Sequence, residues 1–165
     1  MPARALCAIS ALFVLLAPPA VAETLAEAGG LVIADGSARA AGAAARSGAA
    51  YLTLSNTGET DDRLVAATSP AAERVELHDH VVEDGIARMV EIEGGIPLPA
   101  GETVSLEQGG MHIMFLGLTD AWGGDGVPVT LVFEQAGEVE VTLPLAAAPS
   151  AAHGGDHHPE HDSHH

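Results

Sequence analysis

From Ala50 onward the chain never sustains a helical period. Short alternating or apolar runs instead stop at turn residues about every ten positions, which is how a chain of small strands reads. Ala50-Tyr51-Leu52-Thr53-Leu54-Ser55 alternates in polarity and ends at Asn56-Thr57-Gly58. Further strands are predicted over Asp62–Ala67 and Arg74–His80, separated by Ser69-Pro70, and over Ile86–Ile92, closed by Gly94-Gly95. Val104–Leu106 leads into Gln108-Gly109-Gly110, and Met111–Leu118 is the most apolar run. Val127–Glu134 and Glu138–Leu145 predict a terminal hairpin turning at Ala136-Gly137. Ahead of these, Glu23–Ala28 is helix-friendly in composition and fades into a first strand at Leu31–Ile33. No internal repeat is evident, and the pattern predicts an all-β sandwich or Greek-key barrel.

The two ends of the chain differ from this middle. Residues 1–22 read as an export segment: Arg4 carries a positive charge, Leu6–Leu16 form an apolar run, and Ala20-Val21-Ala22 gives a small-x-small cleavage site before Glu23. The run is too short for a membrane span, which needs roughly 20 apolar residues. Cys7, the one cysteine, falls inside this segment. Almost no apolar stretch precedes it, so it is not read as a lipid-attachment site. The expectation is a thiol-free periplasmic protein that no disulfide staples. Residues 23–145 then form one domain, large enough to bury a single core. Residues 146–165 are an Ala/Pro/Ser linker and a tail carrying His153, His157, His158, His161, His164 and His165 among Asp156, Glu160 and Asp162. The tail has nothing apolar to bury, so disorder without metal is expected, and its composition signals metal binding.

The charge excludes some partners. The chain carries 23 Asp plus Glu against six Lys plus Arg, all of them Arg, for a net charge of -17. Nucleic acid and anionic membrane surfaces select for basic patches and are poor partners here. Solubility is the main effect assigned to the acidity, with attraction of cations beside it.

Chemistry concentrates in one stretch. Met89, Met111 and Met114 are the methionines after the initiator, and they lie close in sequence to His78, His80 and His112. Residues two apart on a strand share a face, about 7 Å from one another. His112 and Met114 therefore point to an outer or rim surface, while Ile113 and Phe115 point into the core and Met111 packs with them. His78 and His80 also share a face, and geometry alone does not choose between them. Each taken singly would more often be structural; the clustering is what points to a metal site. Structural zinc wants cysteines or more imidazoles, hard cations want oxygen cages, and a blue-copper carrier needs a thiolate. Imidazole with thioether and no thiolate suits Cu(I).

Several of these segments together resemble one family. Glu76-Leu77-His78, Gly85 through Met89, Gly94-Gly95-Ile96-Pro97-Leu98-Pro99-Ala100-Gly101 and Gly109 through Met114 are similar to the periplasmic copper chaperone family called PCuAC, as are Tyr51 through Asn56 and Ser69-Pro70-Ala71-Ala72. The resemblance covers most of Ala50 to Leu145. It implies a cupredoxin-like Greek-key β-sandwich or barrel holding Cu(I) through His78, Met89, His112 and Met114. It also implies delivery to the Cu(A) site of cytochrome c oxidase, alongside a Sco-type thiol protein, with extra Cu(II) binding by a His-rich tail. The chain departs from the family in carrying Ser37 where an aromatic often precedes the Arg matching Arg39, and His80 and Ala87 at positions often held by methionine. These changes thin the methionine shell around the four ligands and offer His80 as a substitute donor.

The leading expectation is a monomeric, non-catalytic copper chaperone. The alternative is a periplasmic buffer for Cu(II) or Zn(II) dominated by the tail. An enzyme ranks below both, because no nucleophile–base motif or phosphate loop is present.

Overall fold

The computed structural model describes residues 22–42 and 44–146, so residues 1–21 of the export segment and the histidines of the tail lie outside the described residues. Eleven strands make up the described fold: β1 Thr24–Ala28, β2 Leu31–Ala40, β3 Ser47–Asn56, β4 Asp62–Thr68, β5 Ala72–Glu83, β6 Ile86–Glu91, β7 Ile96–Leu98, β8 Thr103–Leu106, β9 His112–Leu118, β10 Val127–Phe133 and β11 Gly137–Leu143. No helix occurs among the described residues, and the expected all-β, cupredoxin-like sandwich is what the chain forms.

A seven-stranded antiparallel sheet runs β1-β2-β3-β9-β5-β6, with β8 also pairing β3. A four-stranded sheet runs β11-β10-β4-β7. β3 alternates strictly, with Gly48, Ala50, Leu52, Leu54 and Asn56 buried and the residues between them half-buried. β10 shows the same period. The inward sets of both sheets, including Ile33, Leu54, Ile113 and Phe115 from one and Leu64, Ile96, Leu131 and Leu143 from the other, form one core. Buried polar side chains are accounted for where strands turn. Asn56 donates to the carbonyls of Thr60 and Leu98 at 2.8 and 2.9 Å, and the Asp62 carboxylate accepts the N–H groups of Gln135 and Ala136.

One irregularity shapes the outer face. In the β2–β3 pairing, Ala34 sits opposite Thr53 but Ser37 sits opposite Tyr51, so β2 carries one extra residue. Asp35 takes the positive φ of 52° there. Such a bulge switches which alternate residues face inward. Leu31 and Ile33 are buried before it and Ala38 after it, which turns Ser37 and Arg39 outward.

Two segments differ from the sequence reading. Thr24–Ala28 is a strand rather than helical, because a run this short cannot hold a helix alone and pairs instead with β2. β7 was not anticipated. It has three residues with Pro97 at the centre, tolerated because β7 is an edge strand of its sheet.

Candidate metal centre

β9 is central in the larger sheet, between β3 and β5, with β6 beyond β5 at the edge. Its alternation buries Ile113 and Phe115 completely and aims His112 and Met114 at the opposite face. Register then fixes their neighbours. On β5, His78 lies directly opposite His112 and Glu76 opposite Met114. On β6, Met89 lies opposite His80 and Glu91 opposite His78. All four residues implied by the resemblance, together with His80, therefore stand on one face of three adjacent strands. Met111 is partly buried and packs against the core. The tail histidines lie outside the described residues.

Outward in the sheet is not the same as exposed. His112 is only 4% accessible, because Tyr51 and His78 cover it, with ring centroids 6.3 and 5.7 Å away. Met114 is half-buried. Met89, on a strand exposed along its whole length, is 62% accessible. The site thus runs from a closed end at His112 to an open end at Met89.

Hydrogen bonds assign the proton on each inner imidazole. His112 Nδ1 lies 3.0 Å from the Gly110 carbonyl oxygen, which can only accept, so in the neutral ring Nδ1 carries the hydrogen and Nε2 keeps its lone pair. His78 Nε2 lies 2.7 Å from Glu76 Oε2, so by the same logic its lone pair sits on Nδ1. That Nδ1 is buried and has no hydrogen-bond partner. Leaving a buried acceptor unmade costs about 1–3 kcal/mol, so this atom is open to a further partner. Glu76 is in turn held by Arg74, whose Nε donates to Oε1 at 2.7 Å. A ligating histidine steadied through its other nitrogen by a carboxylate or carbonyl is the usual outer architecture of a metal site.

A cavity of about 530 Å³ opens on this face, lined among others by Arg39, Tyr51, His80, Met89, His112 and Met114. His78 is not in that lining. The Arg39 guanidinium lies 5.5 Å over the Tyr51 ring and donates to Gln108 Oε1 at 2.7 Å. Sequence reasoning did not pick out Tyr51, Gln108 or Glu76 as parts of a site. Glu76 alone had a legible signal, since it precedes His78 by two and shares its strand face. Among the described residues no group of three or more His, Cys, Asp or Glu side chains is placed to hold a metal ion. A metal bound here would need the methionine sulfurs.

The family model described as "Putative lipoprotein LpqE-like" matches residues 31–145. The chain belongs to the LpqE-like family. A relative, "Putative lipoprotein Lxx21020" from Leifsonia xyli subsp. xyli (strain CTCB07), is 36% identical over 129 residues, spanning 77% of this chain and 76% of that protein. Among solved structures, this LpqE-like chain resembles the apo PCuAC domain from PmoF1 at 25% identity and a TM-score of 0.63, over 75% of this chain and 99% of that one. The copper-bound PCuAC domain from PmoF2 superposes with a TM-score of 0.62 at 24% identity, over 75% and 98% of the two chains. Apo-DR1885 from Deinococcus radiodurans matches at 27% identity and a TM-score of 0.56, over 90% and 95%. This chain thus shares the fold of these PCuAC domains.

Proposed function

We propose that this protein is a copper chaperone that carries Cu(I) as cargo on His78, Met89, His112 and Met114. The observation that carries the reading is the pair of inner imidazoles. Each has one nitrogen fixed by a protein acceptor and the other left with its lone pair, and His78 Nδ1 is buried without a partner. Met114 shares the outer face of β9 with His112, and Met89 sits diagonal to His78 across the β5–β6 pair, a separation long side chains can span. Two imidazoles and two thioethers are neutral, soft-to-intermediate donors that favour Cu(I) over harder ions. Copper-bound PCuAC domains, including the Cu(I) form of DR1885, support the choice of metal. The chemistry is ligand exchange.

Removing a ligand should cost at least as much as removing an outer partner, which lowers metal affinity about 10–100-fold. His112→Ala and Met114→Ala are each expected to weaken Cu(I) binding by that much in an anaerobic chelator competition, with unchanged far-UV circular dichroism. Full affinity in both variants would refute the site.

Delivery to the Cu(A) site of cytochrome c oxidase, with a Sco-type thiol protein, is proposed on the strength of the sequence resemblance. Export through residues 1–22 accords with relatives described as lipoproteins. Both are checked on protein recovered from the cell envelope. Its chain should begin at Glu23 and should pass Cu(I) to the soluble copper domain of the oxidase. An acylated Cys7 at the N-terminus would contradict cleavage after Ala22, and failure of transfer would contradict the acceptor.

A further inference from the structure

Resting on the copper-carrying role proposed above, the geometry points to His80 as a further metal ligand, the outer donor of a two-station site through which Cu(I) enters and leaves. His80 shares the outer face of β5 with His78, two residues and about 7 Å farther along the strand. It lies directly opposite Met89, so an imidazole and a thioether stand side by side, with Cβ atoms about 4.5–5.5 Å apart. Both line the same cavity as His112 and Met114, whereas His78 does not.

The two β5 histidines also differ in how they are held. His78 is bonded to Glu76 and packed edge-on against His112. The His80 ring makes no hydrogen bond among the described residues, while its backbone N–H donates to Asp79 Oδ1 at 2.7 Å. A fixed imidazole suits storage and a free one suits exchange. Met89 is the most exposed of the five donors named, and it sits on the edge strand of the sheet, where an acceptor can approach.

The step is an exchange of neutral ligands. The bond from Cu(I) to His78 Nδ1 breaks as a bond to the His80 ring forms, while thioether sulfur stays bound. The ion remains Cu(I), and neither electron nor proton moves. An acceptor's donors then replace His80 and Met89 at the open edge.

The test uses the exported chain loaded anaerobically with one equivalent of Cu(I). His80→Gln is expected to keep the core equivalent but to release it to a chromogenic chelator about tenfold more slowly in stopped flow, the rate change of one lost contact in the exchange step. In the unaltered protein, the His80 ring resonances should shift on Cu(I) loading along with those of His112. An unmoved His80 ring with an unchanged release rate would overturn the inference and leave the chaperone reading standing. So would loss of the equivalent in His80→Gln together with its retention in His78→Gln, since His80 would then be the principal ligand. A His112 ring and Met114 methyl that do not respond to Cu(I) would overturn the chaperone reading itself.

Discussion

Glu76 decides what His78 can do. Its carboxylate bridges Arg74 and His78, at 2.7 Å to each, and fixes the tautomer that leaves Nδ1 free. Removing it should let the ring rotate and change tautomer, because nothing else in the described structure holds Nε2. Glu76→Ala is therefore expected to lower Cu(I) affinity about 10–100-fold and to move the proton from His78 Nε2 in ring-nitrogen NMR. An unchanged tautomer with unchanged affinity would show that packing against His112 suffices. At this scale the sequence showed the donor types and their faces on β9, since Ile113 and Phe115 had to be core if His112 and Met114 were not. It did not show that His112 is covered. That burial depends on Tyr51 and His78, which long-range strand pairing brings beside it.

At the scale of elements, the strands with strong alternation were legible. β3, β4, β9, β10 and β11 appear close to where punctuation and polarity place them. β1 and β7 were not, for physical reasons. Thr24–Ala28 has no strong β pattern and becomes a strand only because β2 offers an edge. Ile96–Leu98 is three residues long and interrupted by Pro97, so its pairing with β4 is a tertiary fact. The bulge at Asp35-Gly36 was also invisible, although it is what turns Arg39 toward the cavity. The choice between His78 and His80 stayed open in the sequence because both lie on one face of β5. The structure separates them by environment, one bonded and packed, the other free at the cavity.

For the whole molecule, the question is where the metal chemistry resides. The described fold places the imidazoles of His78, His80 and His112 and the thioethers of Met89 and Met114 on the outer face of the larger sheet, while Met111 packs against the core. The chain also carries six further histidines in residues 147–165, interspersed with Asp156, Glu160 and Asp162, the composition on which the alternative expectation of a Cu(II) or Zn(II) buffer rests. Net charge of -17 draws cations to either place. The measurement that tests the central claim most directly is an anaerobic Cu(I) competition titration of residues 23–146. One tight equivalent, with sulfur as well as nitrogen around copper by X-ray absorption, is the result the sheet-face site predicts. No tight equivalent in that fragment, with binding restored by residues 147–165, would contradict it and move the function to the tail.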